Sequence, residues 1–445
     1  MIISSADFGE RFDWGVSTAA YQIEGAAKKD GKGPSIWDEF TRIKGNIQDG
    51  RNGDHSCDFY HLFQTDIDLM RQMHIKNFRL SLSWPRILPE GIGSVNQKGI
   101  DFYHRVFDYC LEAGIKPWVT LYHWDLPHQL ELRGGWTNRD IISWFQDYIA
   151  LCVQEFGDKV NHWMILNEPM VFVGAGYFLG VHAPGKKGMK NFLPAVHHAT
   201  LAQAMGAEVV RSISPGAEIG TTYSCSYVEP YSHKVSDVNA AIRVDALLNR
   251  LFIEPALGLG YPTKELTVLN RIEKYMKSGD EDRMKANFDF IGIQNYTREI
   301  VKFAPFVPFI KAKLVKAEKR GVKTTLMGWE IFPPCVYKML KKYDSYDGIK
   351  KLIITENGVA FSDTPIAGKV MDESRVNYLK DHIAQVLRAK KEGVKVAGYF
   401  VWTLLDNFEW AEGYDPRFGL IYVDFQSQKR IIKSSGEWYK NFLDS

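Results

Sequence analysis

FYHRVFDYCLEAGIKPWVTLYH, residues Phe102 to His123, carries the fold in miniature. Tyr103, Val106, Phe107 and Cys110 fall at i, i+3, i+4 and i+7, the apolar stripe of an amphipathic helix. Gly114 then stands where a helix needs a left-handed terminating residue. IKPWVTLYH follows, a short run with the β-branched and aromatic content of a strand. The same module recurs as IISWFQDYIALCVQEFG before KVNHWMILN (Ile141 to Asn167) and as YLKDHIAQVLRAKKEG before VKVAGYFVW (Tyr378 to Trp402), with Gly157 and Gly393 as the expected terminators. A fourth copy, AQAMGAEVVRSISPG before AEIGTTYS (Ala202 to Ser224), ends its helix with Pro-Gly instead.

Working outward, FDWGVS from Phe12, FRLSLSW from Phe78, FDFIGIQNY from Phe288 and LIITE from Leu352 bring the candidate strands to eight. Near-continuous apolar strands alternating with helices imply a parallel sheet covered on both faces. Eight such units predict an α/β fold of the (β/α)8 TIM-barrel type, with long βα connections accounting for the size. A doubly wound sheet is the competing arrangement, but the first strand is followed by no GxGxxG and the chain has no P-loop. No low-complexity tract or Pro/Ser-rich linker interrupts residues 1–445, so one catalytic unit is expected where length alone would allow about three.

Composition narrows the function. The 445 residues are 45% hydrophobic and 24% charged, which excludes disorder and small disulfide scaffolds. Lys+Arg number 55 against 53 Asp+Glu, a net charge of +2, so no single-sign field serves nucleic acid or anionic lipid. MIISSADFGERF lacks the pattern of a secretory signal. The charge-free run Pro169–Gly185 is too short and too rich in glycine to span a membrane. Cys57, Cys110, Cys152, Cys225 and Cys335 are odd in number, far apart and without a CxxC pair, and read as reduced and buried. A cytoplasmic protein is the expectation, and its oligomeric state, a homo-oligomer included, is left open. His123 with His128, and the adjacent His197 and His198, lack the company of an HExxH or Cys/His cluster, so neither a metal nor a cofactor is assigned. The sequon at Asn295 lies at a strand end inside the candidate site, where glycosylation is not expected.

In a parallel barrel the active site is built at the carboxyl ends of the strands. The residues expected there are Gln22 and Glu24 after strand one, Arg79 on strand two, His123 and Trp124 after three, and Asn167 and Glu168 after four. Asn295 and Tyr296 follow strand six, Glu356 and Asn357 strand seven, and Trp402 closes strand eight. Glu168 in MILNEP and Glu356 in IITENG each close an apolar strand just before loop-forming residues, so both carboxyl groups face the barrel mouth. A carboxyl pair can cleave a glycosidic bond, one protonating the leaving oxygen and one meeting the positive charge at the anomeric carbon. The residues alone leave open which is the acid and whether configuration is retained or inverted.

The aromatic content, 12 Trp, 21 Tyr and 26 Phe, then has a use. Sugar rings offer apolar C–H faces and polar rims, which flat aromatic surfaces, amides and carboxylates recognise. Gln22, His123, Asn167, Glu409, Trp124, Trp402 and Trp410 have that chemistry, whereas Phe59, Phe63, Trp144 and Tyr148 on amphipathic helices read as packing.

Five blocks together resemble glycoside hydrolase family 1, in particular its β-glucosidases. They are FDWGVSTAAYQIEGA (Phe12 to Ala26), LYHWDLP (Leu121 to Pro127), LNEP (Leu166 to Pro169), ITENG (Ile354 to Gly358) and WTLLDNFEWAEGY (Trp402 to Tyr414). The resemblance covers essentially the whole chain and implies a (β/α)8 barrel and retaining hydrolysis, with Glu168 as general acid/base and Glu356 as nucleophile. It further implies that Arg79 keeps Glu356 ionised and that Tyr296 contacts the nucleophile. Gln22, His123, Trp124, Asn167, Glu409 and Trp410 would hold the glycone hydroxyls, with Asn167 on the 2-hydroxyl. Trp402 would form the sugar platform, and Trp329 in MGWEIFP would line the leaving-group side.

Departures from the family pattern sort the alternatives. Its phospho-glycosidases carry a small residue at the position of Trp410 and a carboxy-terminal Ser/Lys/Tyr cluster, where this tail reads QKRIIKSSGEWY. A 6-phospho-β-glucosidase is therefore second to an enzyme for plain β-glucosides or cello-oligosaccharides, with β-fucosides and β-galactosides as further candidates. A non-hydrolytic sugar-binding protein would lack one of the two glutamates. Gln294 stands where the family usually has Asn.

Overall fold

The computed structural model describes residues 3–445. Eight parallel strands close into a barrel: β1 Asp13–Ser17, β2 Asn77–Ser81, β3 Lys116–Tyr122, β4 His162–Asn167, β5 Glu218–Ser224, β6 Phe290–Gln294, β7 Leu352–Asn357 and β8 Val396–Trp402. Neighbours follow chain order around the circle, and β8 returns to β1 with Ser17 opposite Trp402. Six of the eight strands lie within the segments expected from sequence; β2 begins one residue earlier, at Asn77, and β7 ends one residue later, at Asn357. Between strands run the long helices Phe59–Gln72, Gln97–Glu112, Ile141–Phe156, Met189–Ile213, Pro334–Asp344 and Glu373–Lys391, with Val235–Asp245 after β5 and Ser434–Leu443 after β8. This is the (β/α)8 architecture.

Two of the three expected helix terminators adopt the left-handed conformation, Gly114 at φ +72° and Gly393 at φ +89°. Gly157 does not: its φ is −66°. There the chain leaves by a further turn, with Lys159 and Val160 N–H both donating to the Phe156 carbonyl, so no left-handed residue is required.

The barrel has two cores. The larger lies between the strands and the helix layer and contains Phe59, Phe63 and Tyr148, three of the aromatics expected to pack. The smaller fills the lumen with Trp118, Met164, Phe290, Ile353 and Phe400. Trp118 Nε1 donates to Asn77 Oδ1 at 3.0 Å, so even the polar edge of this plug is satisfied. Room for the rings comes from glycine: a Cβ on Gly15 would strike the Phe400 ring, and one on Gly220 the Phe290 ring. Because the plug closes the interior, function is confined to the open mouth.

The extra length lies in the loops after the strands. They carry a three-stranded sheet of Tyr227–Pro230, Arg298–Phe303 and Ala312–Leu314, and a hairpin of Ile421–Val423 with Arg430–Ile432. Among the described residues no helix is long and apolar enough to cross a membrane, and no cluster of three or more His, Cys, Asp or Glu could hold a metal ion. All five cysteines are free and buried. His197 pairs with Asp280 at 2.8 Å while His198 bonds the Trp136 carbonyl, so these two serve packing. Asn295 is fully buried, its amide donating to the Cys225 carbonyl.

Gly220→Val would force a branched side chain into the Phe290 ring. The expected cost is about 1–3 kcal/mol, measured as a lower urea midpoint. An unchanged midpoint would mean that the lumen is not close-packed there.

Candidate active site

A cavity of about 380 Å³ opens at the carboxyl ends of the strands. Nine of the residues expected from sequence line it: His123, Trp124, Glu168, Tyr296, Trp329, Glu356, Trp402, Glu409 and Trp410. Gln22, Asn167 and Arg79 sit one layer behind, fully buried, each bonded to a wall residue. Glu24 is not part of the site, because Arg86 Nε and the Tyr103 hydroxyl occupy its two oxygens.

Glu356 ends its strand amid donors. Its Oε1 accepts from Arg79 Nη1 at 2.5 Å and from Gln294 Nε2 at 2.7 Å, and its Oε2 accepts from the Tyr296 hydroxyl at 2.7 Å. Burial lifts its pKa, while Arg79 and the Tyr296 hydrogen bond pull it back. Glu168 is less well supported: burial and the charge of Glu356 push its pKa up more than hydrogen bonding with Ser224 and the charge of Arg79 pull it down. Its backbone is left-handed, with φ 46°, and Pro169 starts a helix immediately after it. Burial pushes its carboxyl well above the ordinary glutamate range, and the charge of Glu356 pushes it further. Proton affinity is therefore divided unequally, with Glu168 holding a proton more tightly than Glu356. Two carboxyl groups of unlike proton affinity in one cleft can serve glycoside cleavage, one donating a proton and the other attacking.

Behind the wall, Asn167 is oriented by its neighbours. Oδ1 accepts from Arg79 Nη2 at 2.5 Å, Gln294 Nε2 at 2.7 Å and Thr222 Oγ1 at 2.9 Å, which only the carbonyl end of the amide can do. Nδ2 is left to donate to His123 Nε2 at 3.0 Å, with a second N–H to spare. Burial, helped by the charge of Arg79, depresses the pKa of His123 and keeps it neutral with its proton on Nδ1. Gln22 Nε2 is held between Asn407 Oδ1 and the Phe408 carbonyl and reaches Glu409 Oε2 at 3.3 Å. Gln22 Oε1 and His123 Nδ1 have no partner among the described residues, as befits groups built for a hydroxyl-rich ligand.

The aromatic wall is a packed layer. Trp410 lies 4.5 Å from Trp124 and 4.6 Å from Trp37 between ring centroids, and Trp402 lies 6.0 Å from His123. Both Trp124 (φ 82°) and Trp410 (φ 50°) occupy left-handed backbone, which bulky residues adopt only when the surroundings impose it. Trp37 was not singled out in the sequence, since nothing in its local pattern separates it from core aromatics.

Other wall residues escaped the sequence reading. Ser224 ends β5, and Cys225 and Ser226 follow it; this is the one strand whose end was assigned no functional residue, so the strand-end rule itself could have found them. His182, Met327, Glu412 and Phe418 come from long loops, which carry no periodic signal, and Glu299 comes from the short strand Arg298–Phe303 that one such loop carries. Gln294, noted only as a departure from a pattern, proves to bridge Glu356 and Asn167.

The wall carries five carboxyl groups, Glu168, Glu299, Glu356, Glu409 and Glu412, and no Lys or Arg. A closed parallel barrel with two unlike carboxyl groups at the floor of an aromatic-walled cleft defines a glycoside-cleaving enzyme. The family model for glycosyl hydrolase family 1 matches residues 4–445, and the chain belongs to that family. Among its relatives, β-glucosidase A of Thermotoga maritima is 46% identical over 98% of this chain and 97% of its own length. A 1,4-beta-D-glucan glucohydrolase of Thermotoga neapolitana is 45% identical over 98% of both chains. The structure of the family 1 β-glucosidase from Thermotoga maritima superposes with a TM-score of 0.93 at 44% identity over 98% of each chain. That protein's complex with deoxynojirimycin gives 0.94 at the same identity and coverage.

Burial and the charge of Glu356 raise Glu409 to about 8 from an ordinary 4.5. The folded chain thus binds the extra proton between these values, and stability falls as pH rises from about 4.5 through about 8. Glu409→Gln removes that cost. The variant is expected to match wild type near pH 4.5 and to exceed it at pH 8 by a few kcal/mol in urea unfolding; equal stability at both pH values would refute the raised pKa.

Proposed function

We propose that the protein is a retaining exo-β-glycosidase that removes terminal non-reducing β-D-glucosyl residues, a β-glucosidase, with the whole of residues 1–445 as one catalytic unit. The observation that carries this reading is the asymmetry of the two floor carboxyls: Glu356 among three donors, Glu168 with its proton retained by burial. The relatives called β-glucosidases support the substrate class.

Glu356 attacks the anomeric carbon, and Glu168 gives its proton to the departing glycosidic oxygen, so that the C–O bond breaks as the glycosyl–enzyme ester forms. Glu168, now a carboxylate, takes a proton from water as the water oxygen attacks the same carbon. Glu356 leaves as carboxylate, and both groups return to their first states with β-configuration restored. Arg79 and Tyr296 favour ionised Glu356 at the start and accept its returning charge at the end. Gln22, His123, Asn167, Glu409, Trp124 and Trp410 hold the glycone hydroxyls, Asn167 offering its spare N–H to the 2-hydroxyl. Trp402 supports the ring, and Trp329 lines the leaving-group side.

A 6-phosphorylated glycone is disfavoured. Glu409 would repel a phosphate only if ionised, and with its pKa raised to about 8 it is mostly protonated at neutral pH. The stronger grounds are the bulk of Trp410 and a wall with no cation. Lys433, the basic residue of the tail nearest in sequence to the Ser pair, is buried on Asp406 and Asp363. The free, buried cysteines accord with a reducing compartment such as the cytoplasm.

Wild type should hydrolyse 4-nitrophenyl β-glucoside, and Glu356→Gly should lose detectable turnover. Glu168→Gln should lose about 10²–10⁴-fold in kcat on unactivated glucosides. Proton NMR of early product should show β-glucose; α-glucose first would refute retention. Arg79→Gln removes the positive charge that lowers the Glu356 pKa, so the acidic limb of kcat/KM should move up by about 1–3 pH units. An unmoved limb would dissociate Arg79 from the nucleophile's charge.

A further inference from the structure

The charge balance of the whole chain conceals one uneven segment. Residues 300–323 hold seven Lys or Arg against one Asp or Glu, while all 445 residues together net only +2. The strand Arg298–Phe303 begins at the cleft, where Glu299 lines both the catalytic cavity and a second one of about 290 Å³ beyond Trp329. The chain then turns into the strand Ala312–Leu314 through a loop, residues 304–311, of sequence APFVPFIK, and no residue of that loop lines the cleft.

Within this loop Phe306 is 97% exposed, more than any other large apolar side chain among the described residues, and Phe309 is 45% exposed. An aromatic ring left in water forgoes the burial that stabilises most others, so its placement calls for a partner. The loop is ordered. Ala304 N–H donates to the Lys311 carbonyl and Lys311 N–H to the Val307 carbonyl, both at 3.1 Å, and Arg243 Nε donates to the Ile310 carbonyl at 2.7 Å. Pro305 and Pro308 restrict the backbone further, so Phe306 is held outward.

Cations accompany the ring. Lys302, Lys311, Lys313, Lys316, Lys319 and Lys323 are all exposed, and among the described residues none has a carboxylate partner. Arg320 is engaged by Glu330 at 2.6 Å. Lys302 stands directly opposite Lys313 across the antiparallel strands, a like-charge pair that costs stability until an external anion relieves it. An apolar ring beside unpaired cations fits a surface that is anionic at its face and apolar beneath. Duplex nucleic acid is anionic at its face but encloses its bases, and the same patch on a second copy would set lysine against lysine.

We propose that this loop docks the protein reversibly on an anionic lipid bilayer, Phe306 entering the interfacial region while the lysines meet the headgroups. Vesicle flotation of the full chain tests it. Phosphatidylcholine vesicles with about 30% phosphatidylglycerol should carry the protein at about 50 mM salt, and pure phosphatidylcholine vesicles should not. Phe306→Ser should weaken binding about tenfold, the worth of one partly buried ring. Lys311→Gln, Lys313→Gln and Lys316→Gln combined should weaken it about a hundredfold. Both variants should keep wild-type turnover of 4-nitrophenyl β-glucoside, which shows the fold intact. Phe306→Cys carrying an environment-sensitive fluorophore, in a chain whose five native cysteines are buried, should shift its emission to the blue on anionic vesicles alone. Absence of wild-type binding at low salt, or binding that Phe306→Ser leaves unchanged, would overturn the proposal. So would duplex DNA bound as tightly as the vesicles, or self-association that Phe306→Ser abolishes in a protein that ignores vesicles.

Discussion

The structure turns on a shortage of positive charge. Glu168, Glu356 and Glu409 share one cleft, and among the described residues the single guanidinium in contact with any of them is that of Arg79. Away from water a carboxylate is costly unless a cation or several donors hold it. The contacts of Arg79 award that support to Glu356, and the other two carboxyls answer by holding protons more tightly. Chemical asymmetry between residues of one type follows from where one arginine points.

Much of the barrel serves that placement. The Arg79 Nε rests on Met164 Sδ at 3.3 Å, part of the apolar plug, and its two Nη atoms span Glu356 and Asn167. The loop that carries Glu409 and Trp410 is fixed from below by Asp406, which takes Lys433 at 2.6 Å and Arg417 at 2.8 Å. Left-handed backbone at Trp124, Glu168 and Trp410 stores strain beside the reacting groups, and dense aromatic packing holds it. Such a site costs stability, as the proton affinity of Glu409 shows most directly.

The eight strands were legible because a parallel strand buried on both faces must be short, apolar and β-branched, a signal local enough to read. Helix terminators were less certain: Gly114 and Gly393 take the left-handed form, while Gly157 does not, because its helix leaves by an extra turn that the residue alone does not encode. Glu168 and Glu356 stood out because each breaks an apolar run at a strand end. Gln294 did not, since an amide at the end of an apolar strand looks the same whether it faces a helix or a nucleophile. His182 and Phe418 lie on loops whose course is set by packing against distant segments, and no periodicity announces them.

The sequence by itself determined the barrel, the two carboxyl groups and the aromatic supply, because each depends on residue type and on spacing within one segment. Only the tertiary structure decided which carboxyl holds a proton more tightly, which way the Asn167 amide points, and that a second cavity continues beyond Trp329. Those depend on electrostatics and contacts between side chains brought together from opposite sides of the barrel, across sequence separations as large as the 277 residues between Arg79 and Glu356.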